Sequence, residues 1–247
     1  MTLPARSGLG ALLVLAVLVT GCDWQLPGKP IRPEPETIDS RSDFNVLYFD
    51  NCLGCHGPEG RQGPARPLND PLYLAVVPTV TLERVIRIGH GPLMPGFRKT
   101  LAGGLDELQI AALASGMKHF WGDDSLKSAE LPDYAGQPGR GDVKAGKVAF
   151  TTFCGGCHGE DGGGLEGHAG SVIDNDYLLL VSDQALRSTV LFGRTDLATA
   201  AMPTGCPDFR GPYPGQPADR SLTASEIDDV SAWLSANRMT YTEEAAR

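Results

Sequence analysis

Long hydrophobic runs are scarce in this chain, and so are basic clusters. No segment is apolar over the ~20 residues that a membrane-spanning helix needs, and the apolar run between Leu9 and Val19 is shorter than that. The formal net charge is −9, from 21 Lys and Arg against 30 Asp and Glu. Because the chain is acidic and has no basic cluster, we predict no nucleic-acid partner.

Residues 1–21 have the pattern of a secretory signal. One charge, Arg6, precedes an apolar run that is too short to span a bilayer and fits the central region of a signal peptide. The run ends in Val-Thr-Gly-Cys at residues 19–22, which resembles the lipobox of bacterial lipoproteins. We predict lipid attachment at Cys22 and a position on the periplasmic face of the bacterial cytoplasmic membrane. An ordinary signal peptide with an accidental cysteine is the alternative.

Two proline-rich segments divide the rest of the chain. The first contains four prolines among charged residues, which is typical of an extended, semi-rigid tether. The second joins two stretches of similar length. The predicted organisation is a signal peptide at 1–21, a tether at 22–41, domains at 42–121 and 142–239, a linker at 122–141 and a C-terminal tail at 240–247.

A short motif occurs once in each predicted domain. Residues 52–56 and 154–158 both read Cys-x-x-Cys-His, which is the attachment pattern of a c-type haem. The two thiols add to one porphyrin, and the adjacent imidazole supplies an axial ligand to the iron. We therefore predict two haem c groups. Their predicted covalent attachment residues are Cys52, Cys55, Cys154 and Cys157, and their predicted proximal ligands are His56 and His158.

Two other readings of this motif are weaker. A thioredoxin-like Cys-x-x-Cys requires a βαβ context, and no strand-rich stretch surrounds either copy. A structural zinc site requires four ligands, usually in two motifs that lie close together in the sequence. The two motifs here lie far apart, and each carries its own histidine.

The repeat extends beyond the cysteines. Aligning Tyr73 with Tyr177 matches apolar positions over the following 16 residues without a gap. Helices are predicted at 43–51 and 142–153 before the haem motifs and at 81–88 and 184–192 in the middle of each copy. A terminal helix follows in each copy, with a capping-box pattern at Thr223 and Glu226 and a looser one at Asp106 and Gln109.

A methionine on a loop is the candidate sixth ligand in each copy. Met94 and Met202 each precede a proline, which restricts the backbone and holds the thioether in place without secondary structure. Methionine is a soft ligand for haem iron, and His/Met ligation raises the reduction potential. His90 and His168 are competing ligands, but neither has an equivalent in the other copy.

Each half resembles a class I cytochrome c domain, and the whole chain resembles a di-haem c-type cytochrome lipoprotein. The resemblance rests on the doubled Cys-x-x-Cys-His and the doubled Met-Pro. It implies an all-α fold of two tandem cytochrome c-like domains, made of short helices and long loops around one covalent haem each. It also implies that the first and last helices of each domain cross.

Two departures from the family pattern lead to structural expectations. In the second copy the first helix has a glycine at the crossing, Gly146, and the last helix has an aromatic, Trp233. In the first copy the order is reversed, with Phe44 on the first helix and Gly116 on the last. We expect Phe44 to fill over Gly116 the space that Trp233 fills over Gly146. The family commonly orients the haem histidine with a proline carbonyl. Pro64 or Pro67 can serve in the first copy, and a non-proline carbonyl must serve in the second.

The predicted function is electron transfer by a tethered protein that belongs to, or is a partner of, a respiratory or dehydrogenase complex. Redox proteins and the membrane are its predicted partners. The alternative is a di-haem enzyme, peroxidase-like or oxidising sulfur compounds, which needs an open or displaceable haem site. The two candidate methionines and the lack of a paired acid/base motif argue against it. Cys206 is left unpaired by the other assignments, and we interpret it as a small apolar filler, with an intermolecular disulfide or an iron ligand as minor options.

Overall fold

The computed structural model of the chain describes residues 42–91, 93–101, 103–136, 141–198, 205–213 and 220–239. These residues form helices joined by loops, with isolated β-bridges and no β-strand among them. The predicted all-α class is confirmed. None of the described helices is both long enough and apolar enough to cross a membrane.

In the first domain, helix α1 leads directly into the haem motif, and the Asp43 carboxylate caps it by accepting the amides of Asn45 and Val46. The last helix, α5, starts with a full capping box between Asp106 and Gln109. The helices of this domain are α1 (Phe44–Asn51), α2 (Leu53–His56), α3 (Pro71–Val76), α4 (Thr79–Ile88) and α5 (Glu107–Trp121), with a 3-10 turn at Pro58–Gly60.

The second domain repeats this order. Asp142 caps its first helix, and Thr223 and Glu226 form the predicted capping box at the start of its last helix. The helices are α6 (Val143–Phe153), α7 (Gly155–His158), α8 (Asn175–Leu180), α9 (Asp183–Phe192) and α10 (Ala224–Ala236), with a 3-10 turn at Thr195–Leu197. A further 3-10 turn at Asp124–Ser128 lies between the two domains.

Each domain has its own apolar core, centred on the last helix. In the first core Ile110 and Leu113 of α5 are at most 1% exposed, and in the second Ile227 and Val230 of α10 are fully buried. Met117 also lies in the first core, as its helical position predicts. Both domains fall within one compact unit of the chain.

Candidate functional site

The two haem motifs have the same local structure. Cys52 ends α1 and starts the single turn of α2, so Cys52 and Cys55 lie three residues apart on neighbouring helical positions. Cys154 and Cys157 occupy the same places at the junction of α6 and α7. All four thiols are free of disulfides. Each pair is therefore available for two thioether bonds to one porphyrin.

Each motif histidine is oriented by a backbone carbonyl. The Nδ1 atom of His56 lies 2.9 Å from the carbonyl oxygen of Arg66, and the Nδ1 atom of His158 lies 3.0 Å from that of Gly170. A carbonyl only accepts, so Nδ1 carries the proton in both rings. In the neutral ring this leaves the Nε2 lone pair free, which is the arrangement that an iron ligand requires.

The expectation that Pro64 or Pro67 supplies this carbonyl in the first copy was wrong. The acceptor is Arg66, the residue immediately before Pro67. A following proline pushes a residue into extended geometry, and this is the sequence signal that could have identified it. In the second copy the non-proline carbonyl that we expected is that of Gly170, for which the sequence offered no signal.

Burial shifts the pKa of three groups in the haem motifs, His56, Cys52 and Cys154. Desolvation lowers the pKa of His56, which favours the neutral imidazole that binds metal, although the hydrogen bond to Arg66 opposes this shift. Burial raises the pKa of Cys52 to about 11 and that of Cys154 to about 12. Both thiols are therefore neutral at physiological pH until the haem is attached.

A glycine follows the histidine in each motif, and its backbone conformation disfavours other residues. Gly57 and Gly159 both have φ of 76°. A Cβ on Gly57 would lie 1.9 Å from the carbonyl oxygen of Arg61, whereas the nearest atom to a Cβ on Gly159 is 3.2 Å away. The Tyr48 hydroxyl donates to the Gly57 carbonyl at 2.7 Å, which fixes the turn after the first haem motif.

Met94 lies on the loop between α4 and α5, as the sequence predicts. Its side chain is half-buried, and its carbonyl accepts the His90 amide at 3.0 Å. Gly89 at the end of α4 packs closely against this loop, because its Cβ, if present, would lie 2.3 Å from the Met94 carbonyl oxygen. Gly96 of the loop in turn packs against the backbone of Arg87 and Ile88. The backbone around Met94 is therefore held tightly.

The other candidate ligands have different surroundings. His90 and His168, the competing ligands, are both exposed. Met202 and the predicted lipid site Cys22 lie outside the described residues.

Cys206 is half-buried and pairs with Arg194 through two backbone hydrogen bonds of 2.7 and 3.2 Å. Burial raises the pKa of its thiol, and the nearby Cys157 adds to the shift. The thiol is therefore close to the second haem motif and is not in a disulfide within the part of the chain that the structure describes.

The zinc reading gains no support from the side-chain arrangement. Within the described ranges, no three His, Cys, Asp or Glu side chains converge as a metal site of that type requires. The residues of each motif do fit a porphyrin, because each motif offers two thiols outside disulfides and one imidazole oriented by a backbone carbonyl.

Comparison with known families gives the same class for both halves. Residues 143–237 match the family model described as cytochrome c, and residues 42–115 match that described as cytochrome C oxidase, cbb3-type, subunit III. No curated protein matches the chain. The fold and these matches define a c-type cytochrome. With one cytochrome c domain in each half, the chain is a di-haem c-type cytochrome and carries two covalently bound haem c groups.

Proposed function

We propose that this electron-transfer haem protein is tethered to the periplasmic face of the cytoplasmic membrane and carries two His/Met-ligated haems. The observation that carries the proposal is the pair of carbonyls that orient His56 and His158 in the same way. In both domains the Nδ1 contact leaves Nε2 as the ring nitrogen available to the iron. The cysteine pairs beside these histidines are the proposed attachment points.

Met94 and Met202 are the proposed sixth ligands. Met94 is supported by its packed loop, and Met202 by its equivalent place in the repeat and by the Arg194–Cys206 pairing that closes the base of its loop. A haem with two protein ligands exchanges single electrons without binding substrate. The role of this chain is then to orient the ligands and to keep water from the iron with the apolar cores.

The proposed partner is a membrane respiratory complex or a dehydrogenase. The match of the first domain to a cbb3-type oxidase subunit model supports an oxidase as that partner. The chain is acidic, with a formal net charge of −9, so a basic docking face on the partner would increase the association rate.

Optical spectra of the holoprotein, oxidised and reduced, with and without carbon monoxide, test the ligation. We expect two low-spin haems with a sulfur-to-iron charge-transfer band and no shift on adding carbon monoxide. Met94→Ala and Met202→Ala should each open one iron to carbon monoxide, whereas the core variant Met117→Leu should open neither. Ready carbon monoxide binding by the unaltered protein would overturn His/Met ligation and favour the enzymatic alternative, which peroxide and sulfur substrates would then test.

The tether is tested by fatty-acid labelling in a bacterial host. We expect the chain to take up labelled fatty acid and to fractionate with the cytoplasmic membrane. Cys22→Ala should abolish labelling and release the protein, while Cys206→Ala should change neither. Unlabelled, released wild-type protein would overturn the lipid attachment.

A further inference from the structure

The two haem domains meet at an aromatic junction in which Phe192 is buried and Tyr73 and Tyr134 are half-buried. Tyr73 of α3, Tyr134 of the linker and Phe192 of α9 surround one another, with ring centroids 5.3 Å apart for Tyr73 and Phe192 and 6.4 Å apart for Tyr134 and Phe192. Both tyrosines pack against the cores of both domains, and Leu72 of the first domain belongs to the second core. Apolar burial therefore fixes one domain on the other.

The linker is fastened to the second domain at the same place. Arg187 of α9 donates to the carbonyls of Asp133 and Tyr134 at 2.9 and 3.2 Å, and Gln184 donates to the Tyr134 carbonyl at 3.0 Å. Arg187 is almost fully buried and is paired with Asp228 of α10. The junction consequently has a defined geometry along its whole length.

Arg66 crosses this junction. Its backbone carbonyl orients His56 of the first haem motif, while its guanidinium donates to the carbonyls of Gly193 and Ser188 in the second domain at 3.2 and 3.4 Å. The guanidinium also lies over the Phe192 ring, 5.5 Å from its centroid. One residue thus contacts the ligand histidine of one haem site and the end of α9 in the other domain.

The second-domain end of this link is the base of a loop beside the other haem motif. Gly193 ends α9 with φ of 63°, and the next residue, Arg194, forms the paired hydrogen bonds with Cys206. A Cβ on Gly193 would lie 2.3 Å from the Cys206 carbonyl oxygen, so the backbone is closely packed here. The Cys206 thiol lies near Cys157 of the second haem motif.

We propose that Arg66 is a positioning residue that couples the two haem sites, because its carbonyl orients His56 and its guanidinium holds the loop base at Gly193 in the second domain. The inference deepens the proposed electron-transfer function and rests on it. A coupling of this kind is reciprocal, so a change at either site alters the ligand geometry at the other.

The test compares three variants of the full-length holoprotein. Arg66→Met keeps the apolar stem and the backbone carbonyl but removes the donors and the charge. Arg66→Lys keeps the charge but replaces the planar guanidinium with a compact ammonium group. Arg61→Met is the matched control, because Arg61 lies in the same loop, is exposed and donates to Asn69 within the first domain at 3.2 Å.

Two quantities are measured at each haem separately by NMR of the porphyrin methyl groups: the affinity of the ferric iron for added imidazole and the midpoint potential. We expect Arg66→Met to raise the imidazole affinity at both sites, because it releases the contact between the first-domain loop and Gly193. At the second site we expect roughly 10-fold, the lower end of the range over which outer partners of metal sites change affinity or activity. We expect its midpoint potentials to shift at both sites. Arg61→Met should change neither quantity.

Arg66→Lys separates charge from geometry. We expect Arg66→Lys to restore the midpoint potentials more completely than the imidazole affinities, because it supplies the charge without the guanidinium that donates to Gly193 and Ser188. If Arg66→Met leaves the second site unchanged, if Arg61→Met has the same effect as Arg66→Met, or if Arg66→Lys restores both quantities fully, the positioning role is overturned. If Arg66→Met does not mature, the comparison of Arg66→Lys with Arg61→Met decides the question.

The failure of this inference can be told from failure of the proposed function. If the wild-type protein shows no reversible one-electron reduction at its haems, the electron-transfer function fails, while the imidazole affinities still report the coupling. If both haems reduce reversibly and the Arg66 variants behave as the control, only the coupling fails.

Discussion

In the first domain the crossing of the first and last helices places Phe44 of α1 over Gly116 of α5, whereas in the second Trp233 of α10 lies over Gly146 of α6. A Cβ on Gly116 would lie 2.3 Å from Phe44 Cδ2, and a Cβ on Gly146 would lie 2.0 Å from the Asp229 carbonyl oxygen and 2.9 Å from Trp233 Cβ. The expected exchange of small and large residues is confirmed. The same crossing thus tolerates either order as long as the volume is conserved.

The two crossings nevertheless differ in which atoms are in contact between the helices. In the first domain the ring of Phe44 lies between the helices, and it stacks on Phe120 and meets Trp121 edge-on. In the second, backbone meets backbone at Gly146, and the Trp233 ring packs beside Phe150 at 4.3 Å between centroids. A side chain can move aside, but a helix backbone cannot, so substitutions should affect the two domains differently.

A second contrast concerns the carbonyls at the end of the short helix that follows each haem loop. In the first domain the Lys118 ammonium donates to the carbonyls of Leu74 and Val77, both at 2.6 Å. In the second domain Arg238 donates to the equivalent carbonyls of Leu178 and Val181, at 2.7 and 2.8 Å. The same acceptors are satisfied by different cations on the terminal segments.

The largest expected difference between the domains is at the glycine after each haem motif. Gly57→Ala should lower the free energy of unfolding by about 3 kcal/mol or more, because it adds a backbone overlap to the positive φ. Gly159→Ala should lower it by only about 2 kcal/mol, since the positive φ is its main penalty. Urea unfolding of the holoprotein, followed by haem absorbance, measures both. Equal losses would mean that the overlap at Gly57 is relieved easily.

Double substitutions should distinguish the two helix crossings by whether their effects on the free energy of unfolding are additive. Gly146→Ala and Gly116→Ala should each cost about 1–3 kcal/mol. Adding Phe44→Ala to Gly116→Ala should give a total smaller than the sum of the two single effects by about 1 kcal/mol, because the clash is with the ring that is removed. Trp233→Ala with Gly146→Ala should be additive within about 0.5 kcal/mol, because the Asp229 carbonyl stays in place. Unfolding of the four single and two double variants checks this, and additivity in the first domain would refute the distinction.

The carbonyl contacts should respond differently to exchange of the cation. Lys118→Met and Arg238→Met should each cost about 1–2 kcal/mol, because buried carbonyls lose their donors. Arg238→Lys should recover only part of this loss, since Arg238 reaches the two carbonyls through separate nitrogens, Nε and Nη2. Thermal unfolding compares these variants with Lys144→Met, an exposed lysine of the second domain that should have little effect. Full recovery in Arg238→Lys would contradict the two-nitrogen geometry.

The smallest expected effect is an acid dependence of the second domain. The Arg220 guanidinium, with help from Thr223, lowers the pKa of Glu226 from 4.5 to about 2. The ionised form is therefore the stabilising one, and its contribution is complete above pH ~4.5 and lost as the pH falls towards 2. Glu226→Gln should remove this part of the pH dependence, which we expect to be under about 1 kcal/mol because the pair is partly exposed. Urea unfolding between about pH 5 and about pH 2, which spans the usual and the shifted pKa of Glu226, measures this contribution. Arg220→Met should act in the same direction, and an unchanged slope in Glu226→Gln would refute the assignment.

Much of each domain follows from the sequence. The doubled Cys-x-x-Cys-His predicted the cofactor, because covalent attachment of a porphyrin demands two thiols and a histidine at fixed spacing. The caps of α5 and α10 were predicted as well, since a capping box is a contact between residues three apart. The contact of Phe44 with Gly116 at the helix crossing was predicted too, because aligning the two repeats shows that a small and a large residue change places at the crossing.

The tertiary structure alone decided the contacts between residues distant in the chain. No local pattern indicates that the Arg66 guanidinium reaches Gly193, because this contact depends on how the two domains dock. The same holds for Lys118 and Arg238, which reach equivalent carbonyls from non-equivalent positions. Spacing along the chain fixes chemistry that acts within one or two helical turns, whereas partners that meet across a core or an interface are set by the packing of whole helices.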